Sequence, residues 1–105
     1  MYVFKYTVQV FPLQQHVAVA GGTATFQCLS VHNNIAGVQW LVNGSQNYNL
    51  ANVTEAILGA VGFLTFANIP VEYNMTTLSC EIILSSSRRE TAQETSRLLV
   101  QGVLR

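Results

Sequence analysis

Few side chains in this sequence could do chemistry. The 105 residues include two cysteines, two histidines and five carboxylates, all of them glutamate. Without aspartate a Ser-His-Asp triad is excluded, and no serine lies in a Gly-x-Ser-x-Gly elbow. His16 and His32 lie on segments separate from the cysteines, and the four residues have no recognised zinc spacing. We therefore expect two solvent-exposed histidines, no enzymatic activity, no metal centre and no cofactor.

Composition narrows the class of partner. Half of the residues are hydrophobic and 10% are charged, against roughly a quarter charged in an ordinary soluble domain. The formal net charge is zero, so no field attracts nucleic acid or an anionic membrane. No apolar stretch approaches the roughly 18 to 20 residues of a membrane-spanning helix. The sequence predicts one folded domain over residues 1–105, with no nucleic acid partner and no membrane insertion by this segment.

The elements that must position these residues are short strands. Apolar residues alternate with polar ones in brief runs separated by turns, which is typical of an antiparallel sandwich. The clearest inward-facing sets are Ala24-Phe26-Cys28, Val38-Trp40-Val42, Leu64-Phe66, Leu78-Cys80-Ile82-Leu84 and Leu98-Val100. Pro12 is expected to break the first strand, and Asn43-Gly44 predicts a type I′ hairpin turn. Residues 46–60 show no clear strand, and residues 85–95 read as a polar loop.

The cysteines and the single tryptophan carry a family resemblance. The matching segments are Cys28 on strand B, Val38-Gln39-Trp40-Leu41 on strand C, Leu64-x-Phe66 on strand E, Cys80 on strand F and Leu98-x-Val100-Gln101-Gly102 on strand G. In these positions the sequence resembles an immunoglobulin superfamily domain of the C2 or I type. The resemblance implies an all-β, immunoglobulin-like sandwich of two antiparallel sheets with about seven strands, in which a disulfide joins Cys28 to Cys80 behind Trp40. Two buried free thiols in an intracellular domain are the alternative.

The sequence also departs from the family pattern. Leu78 stands where the family places the tyrosine of its tyrosine corner, and no Lys or Arg occurs within residues 41–87 to form the ion pair that many members have near strand D. We expect Leu78 to be a core residue instead.

Three Asn-x-Ser/Thr triplets begin at Asn43, Asn52 and Asn74. All three fall in predicted turns or loops, where an N-linked glycan would not disturb the core. Asn43 has a second explanation, because Asn-Gly is favoured in tight turns in any compartment. With the expected disulfide, the triplets favour an extracellular glycoprotein, and we expect the domain to be a piece of a longer cell-surface or secreted ectodomain.

Two surfaces are candidates for partner binding. Leu41, Ile83 and Leu99 are expected to point outward from strands C, F and G and to converge on an apolar patch. Arg88 and Arg89 are expected to protrude from the loop end, where arginine is enriched in binding hot spots. The predicted function is a non-enzymatic adhesion or receptor module that binds another protein, with a second copy of the chain as the simplest partner. The alternative is a structural spacer or intracellular scaffold domain with no dedicated ligand.

Overall fold

The computed structural model describes residues 6–102. That range forms two packed sheets and one short 3₁₀ turn, Val71–Tyr73. The strands are β1 (Val8–Phe11), β2 (His16–Val19), β3 (Ala24–Ser30), β4 (Gly37–Val42), β5 (Val53–Leu58), β6 (Val61–Phe66), β7 (Thr76–Ser85), β8 (Arg88–Thr91) and β9 (Ser96–Gln101). The all-β sandwich predicted from the alternating pattern is confirmed.

β1 and β2 are the two parts of an interrupted first strand, and each part joins a different sheet. In the four-stranded sheet the order is β1-β3-β6-β5, and in the five-stranded sheet it is β2-β9-β7-β4 with β8 also paired to β7. Pro12 lies between β1 and β2, where the predicted break occurs. Before it the chain pairs antiparallel with β3, and after it β2 pairs with β9. That second pairing is parallel, while the other pairings within the two sheets are antiparallel.

The last strand is also interrupted. β8 pairs with the later part of β7 and β9 with its start, so both lie on the same side of β7. Residues 92–95 separate them, although the Ala92 amide still donates to the Cys80 carbonyl oxygen at 2.9 Å. Counting β1 with β2 and β8 with β9 as split strands reconciles nine segments with the seven expected. The predicted polar loop at 85–95 is therefore shorter than expected, because residues 88–91 form β8. The alternating pattern predicts a last strand from about Ser96 to Val103, and Val103 lies outside the described residues.

The core lies between the sheets and contains the disulfide. Cys28 and Cys80 are bonded and fully buried, and the Trp40 side chain is 1% exposed. Trp40 pairs with Cys80 across β4 and β7, which places the indole beside the bridge. Phe26 and Phe66 pack edge to face, with ring centroids 5.9 Å apart. The predicted disulfide and the predicted core position of the tryptophan are present.

Leu78 is fully buried, as predicted from its strand phase. The corner before it is held by hydrogen bonds that sequence analysis did not anticipate. The Tyr73 hydroxyl donates to the Ala51 carbonyl oxygen at 3.2 Å, and the Thr76 hydroxyl donates to the Tyr73 carbonyl oxygen at 2.6 Å. The Val100 amide donates to Asn74 Oδ1 at 2.7 Å. These bonds anchor the corner to two neighbouring segments without the family's tyrosine.

The strand that could not be placed from sequence is β5, at the edge of the four-stranded sheet. It pairs with β6 alone, and Thr54 to Leu58 are exposed. Before it, Asn43 and Gly44 adopt positive φ values of 52° and 82°. The backbones of Val42 and Ser45 exchange two hydrogen bonds of 3.0 Å across this turn. The predicted type I′ geometry is thus confirmed, although the returning chain adds only one bridge, Val42 to Ser45.

Candidate partner-binding surfaces

Leu41, Ile83 and Leu99 point away from the sandwich, as predicted, because each alternates with a buried neighbour on its strand. They do not converge. Ile83 pairs with Gly37, whereas Leu41 pairs with Ser79, so the two side chains are four residue positions, or two outward rows, apart along the strands.

The row between them is polar. It holds the pair Gln39 and Glu81, and successive outward rows are about 6.8 Å apart. The Glu81 carboxylate accepts a hydrogen bond from Arg89 Nη1 at 2.7 Å and another from the Thr91 hydroxyl at 3.2 Å. The expected three-residue apolar patch is therefore wrong: a polar row isolates Ile83 from Leu41, and all three aliphatic side chains are half-buried.

A different apolar patch surrounds Leu99. Its neighbour across the β2–β9 pairing is Val17, and two positions further along β2 lies Val19. Met75 lies on the other side, because its amide donates to the Leu98 carbonyl oxygen at 2.7 Å. Val17, Val19 and Met75 are 47%, 53% and 52% exposed. We call Val17, Val19, Met75 and Leu99 the β2–β9 patch.

Within residues 6–102, β2 pairs with β9 alone, so no described strand pairs with its outer edge. No charged residue occurs within residues 12–23. Natural edge strands are usually protected by charges, prolines or bulges, and β2 presents valines instead. Its composition could not reveal the patch, because the proximity of Met75 and Leu99 depends on the pairing between β7 and β9.

The arginines at the opposite end of the sheet are already paired. Arg89 contacts Glu81, and Arg88 Nη2 lies 3.7 Å from Glu90 Oε2. On the other side of the same carboxylate, His32 Nε2 lies 2.9 Å from Glu90 Oε1. The pKa of Glu90 is lowered below its usual 4.5. The hydrogen bond from His32 is the largest cause, and a hydrogen bond from Thr7 is the second. Both arginine side chains protrude, but each faces a carboxylate of the same domain.

The histidines are less exposed than expected. His32 is half-buried and bridges the loop after β3 to β8 through Glu90. His16 lies on the inner face of β2 and packs edge to face on Phe26, with ring centroids 5.5 Å apart. Sequence alternation did not reveal the half-buried position of His16, because the valines of β2 point outward and His16 shares the inner phase only with the small Ala18.

The three sequon asparagines are all exposed, but two of them have structural roles. Asn43 Oδ1 accepts a hydrogen bond from the Thr77 amide at 2.9 Å, and Asn74 Oδ1 accepts the bond from Val100. Asn52 adopts a φ of 62° in the turn before β5, and among residues 6–102 its carboxamide makes no hydrogen bond. Asn52 is therefore the sequon whose side chain is least committed to the fold.

In residues 6–102, no cluster of three or more His, Cys, Asp or Glu side chains is placed to hold a metal ion. The same part of the chain contains no helix with the length and apolar character needed to cross a membrane.

No protein-family model matches the sequence, and no curated protein matches it. Solved structures do match by fold. The titin domains Z1Z2 in complex with telethonin superpose with a TM-score of 0.71 at 23% identity, over 96% of this chain and 51% of that one. The N-terminal Ig1-2 module of the Drosophila receptor protein tyrosine phosphatase DLAR gives a TM-score of 0.71 at 15% identity, over 93% and 50%.

A third match comes from a structure concerning T-cell specificity and activation by the superantigen toxic shock syndrome toxin-1. It gives a TM-score of 0.72 at 14% identity over 90% of this chain and 98% of that one. This chain spans about half the length of the titin and DLAR chains. At these identities the comparisons establish the fold alone, which is the immunoglobulin fold expected from Cys28, Trp40 and Cys80.

Proposed function

We propose that this domain is an extracellular, non-enzymatic recognition module that binds another protein through the β2–β9 patch, and that a second copy of the chain is its partner. The observation that carries the proposal is the exposure of Val17, Val19 and Met75 around Leu99 on one sheet face. Apolar side chains grouped on a rigid surface bind with less loss of conformational entropy than a polar loop does. They also favour association when left bare.

A second copy is the simplest partner because a two-fold interface needs only one patch that complements itself. The four patch residues are uncharged, and the exposed Arg97, two positions before Leu99 on the same outward phase of β9, lies at the margin of the patch. The arginines at the other end of the sheet support the same choice, since Arg88 and Arg89 already contact Glu90 and Glu81. We propose no partner site for Leu41 or Ile83, because they are half-buried and separated by a polar row.

The extracellular placement rests on the disulfide and the sequons. Disulfides persist in oxidising compartments and are rare in the cytosol. Asn52, exposed before β5, is the favoured site of N-linked glycan attachment, followed by Asn43 and Asn74. On this proposal the domain is one module of a longer cell-surface or secreted glycoprotein.

A spacer or scaffold domain without its own ligand is the second candidate. The observation that favours it is that the titin Z1Z2 and DLAR Ig1-2 matches are two-domain chains, of which this chain covers about half. In a tandem, the β2–β9 patch would be in contact with a neighbouring domain. An intracellular form of this candidate requires reduced Cys28 and Cys80, so thiol titration of unreduced, denatured protein from its native source distinguishes it: two thiols per chain favour the scaffold, and none favours the recognition module.

The experiment that tests the proposal is sedimentation velocity over a concentration series. We expect a monomer–dimer equilibrium for the wild type and a monomer for Val17→Glu/Val19→Glu. Val31→Glu/Leu58→Glu, which places the same two charges at exposed aliphatic positions outside the patch, is the matched control and should dimerise normally. A dimer that survives Val17→Glu/Val19→Glu, or a wild type that stays monomeric at millimolar concentration, contradicts the proposal.

A further inference from the structure

A cleft of about 270 Å³ opens at the edge of the sandwich between β4 and β5. Its lining residues are Val38, Trp40, Glu55, Ala56 and Ile57. Within residues 6–102, β4 pairs with β7 alone and β5 pairs with β6 alone, so no described strand bridges the gap between them. The segment that connects them returns along β4 for only one bridge, between Val42 and Ser45.

The floor of the cleft is apolar and tightly packed. Ile57 faces Gly62 across the β5–β6 pairing. A Cβ atom on Gly62 would lie 2.8 Å from Val38 Cγ1, so the valine of the opposite sheet fills the space that a side chain would occupy. Trp40, 1% exposed, closes the inner end. The floor of the cleft at Val38 and Gly62 is therefore closely packed.

One carboxylate lies at this apolar cleft. Glu55 occupies the inner phase of β5, opposite the fully buried Leu64, yet its side chain is exposed. The Tyr48 hydroxyl donates a hydrogen bond to Glu55 Oε2. The pKa of Tyr48 is raised, mainly by burial and secondly by this hydrogen bond, so the hydroxyl remains a donor at physiological pH.

Among residues 6–102, no Lys, Arg or His side chain forms an ion pair with Glu55. Residues 41–87 contain no Lys or Arg. The ion pairs within residues 6–102 join arginine or histidine to Glu81 and Glu90 instead. An apolar ligand that filled the cleft would remove water from this carboxylate without replacing it, which is costly. A cationic group would instead gain a charge-assisted hydrogen bond.

The edge of β4 can also accept an extended chain. The backbone N–H and C=O groups of Val42 point away from β7, and both form hydrogen bonds with Ser45. Backbone groups alternate between the two sides of a strand, so those of Val38 and Trp40 point to the same free edge. The Gln39 side chain donates to the Trp40 carbonyl oxygen at 3.1 Å, and an incoming strand would displace this single bond.

We propose that the cleft binds an Arg or Lys side chain of an extended peptide segment that pairs with the free edge of β4. The aliphatic stem of the basic side chain lies against Val38 and Ile57, and its cation contacts the Glu55 carboxylate. Backbone pairing supplies affinity, and the cleft selects the basic residue. This site is separate from the β2–β9 patch, so it adds a second partner class: a segment with a basic residue between β-branched ones.

The test uses a defined probe, the acetylated and amidated peptide Thr-Val-Arg-Val-Thr, and the same peptide with citrulline in place of arginine. Citrulline keeps the shape and removes the charge. Two-dimensional ¹H–¹⁵N NMR titration of the intact chain should show shifts at Val38, Trp40 and Ile57 with the arginine peptide. We expect binding at least about tenfold weaker for citrulline, and equally weakened for Glu55→Gln.

Glu72→Gln is the matched control. It removes the same charge from the exposed 3₁₀ turn and should bind the arginine peptide like the wild type. Equal binding of the two peptides, shifts that map to another surface, or no binding up to about 10 mM would each overturn the proposal. Self-association of Glu55→Gln with unchanged peptide affinity would also overturn it, because the carboxylate would then be a guard against edge pairing.

Discussion

Replacing Gly62 by alanine tests how closely the two sheets approach at the floor of the cleft. Gly62 is the second residue of β6 and pairs with Cys28 of β3 on one side and Ile57 of β5 on the other. An added Cβ would lie 2.8, 2.9 and 3.1 Å from Cγ1, Cγ2 and Cβ of Val38. All three distances are well inside van der Waals contact. Rotating the valine relieves the first two contacts only, because the position of its own Cβ is fixed by the β4 backbone.

The expected cost follows from this overlap. Inserting a methyl group into a packed site typically destabilises a protein by about 1 to 3 kcal/mol. Since Gly62 is buried and its neighbour is stiff at χ1, we expect Gly62→Ala to lower the free energy of unfolding by about 2 kcal/mol. Val38→Ala removes the two closest atoms, so the double variant should recover about 1 kcal/mol relative to the sum of the single changes.

Urea unfolding of the oxidised protein, followed by circular dichroism, measures all four members of this cycle. Gly21→Ala is the control for a glycine effect without packing: its φ is +84° and no atom lies within 4 Å of the added Cβ. Its cost, about 1 to 2 kcal/mol from the left-handed backbone, should be unaffected by Val38→Ala. A Gly62→Ala variant as stable as the wild type, or one whose cost simply adds to that of Val38→Ala, would refute the close approach.

The remaining predictions concern the core, the corner and the loop end. Trp40→Ala should lower the free energy of unfolding by about 3 to 5 kcal/mol, as for other buried aromatic residues, and a variant that melts like the wild type would contradict the core assignment. Asn74→Ala should cost about 1 kcal/mol through loss of the bond from Val100, whereas Asn74→Asp removes the sequon but keeps the acceptor and should cost less in the same urea assay. The hydrogen bond from His32 lowers the pKa of Glu90, so its stabilising effect is present above pH 4.5 and declines as pH falls through the lower folded value. Glu90→Gln should therefore unfold at a lower urea concentration than the wild type at about pH 6, and the difference should shrink towards about pH 3; a constant difference would contradict this origin.

The sequence contained the core of the fold but not the relative positions of its strands. Cys28, Trp40 and Leu78 could be assigned to the core because strand phase alone decides which face a residue takes. Which residues are neighbours on the outer face depends on the register of the strands. Nothing in the alternation around Leu41 indicates that it pairs with Ser79 rather than lying beside Ile83. The predicted apolar patch failed for that reason.

Two segments were misread for local reasons. β5 has a glutamate, Glu55, at an inner-face position and is exposed along most of its length, so it lacks the period-two pattern of a half-buried strand. β8 is expected to be a loop because its sequence is polar throughout. It forms a strand that pairs with β7, where Arg89 and Thr91 bond to Glu81. In both cases edge pairing, rather than burial, determines the structure, and composition does not report edge pairing.

The measurement that tests the central claim most directly is a dilution series of ¹H–¹⁵N NMR spectra of the wild-type chain. If two copies associate through the β2–β9 patch, concentration-dependent shifts should occur at Val17, Val19, Met75 and Leu99. The amides of residues 88–91 should stay constant over the same range. Shifts confined to residues 88–91, or spectra that do not change with concentration, would contradict the account.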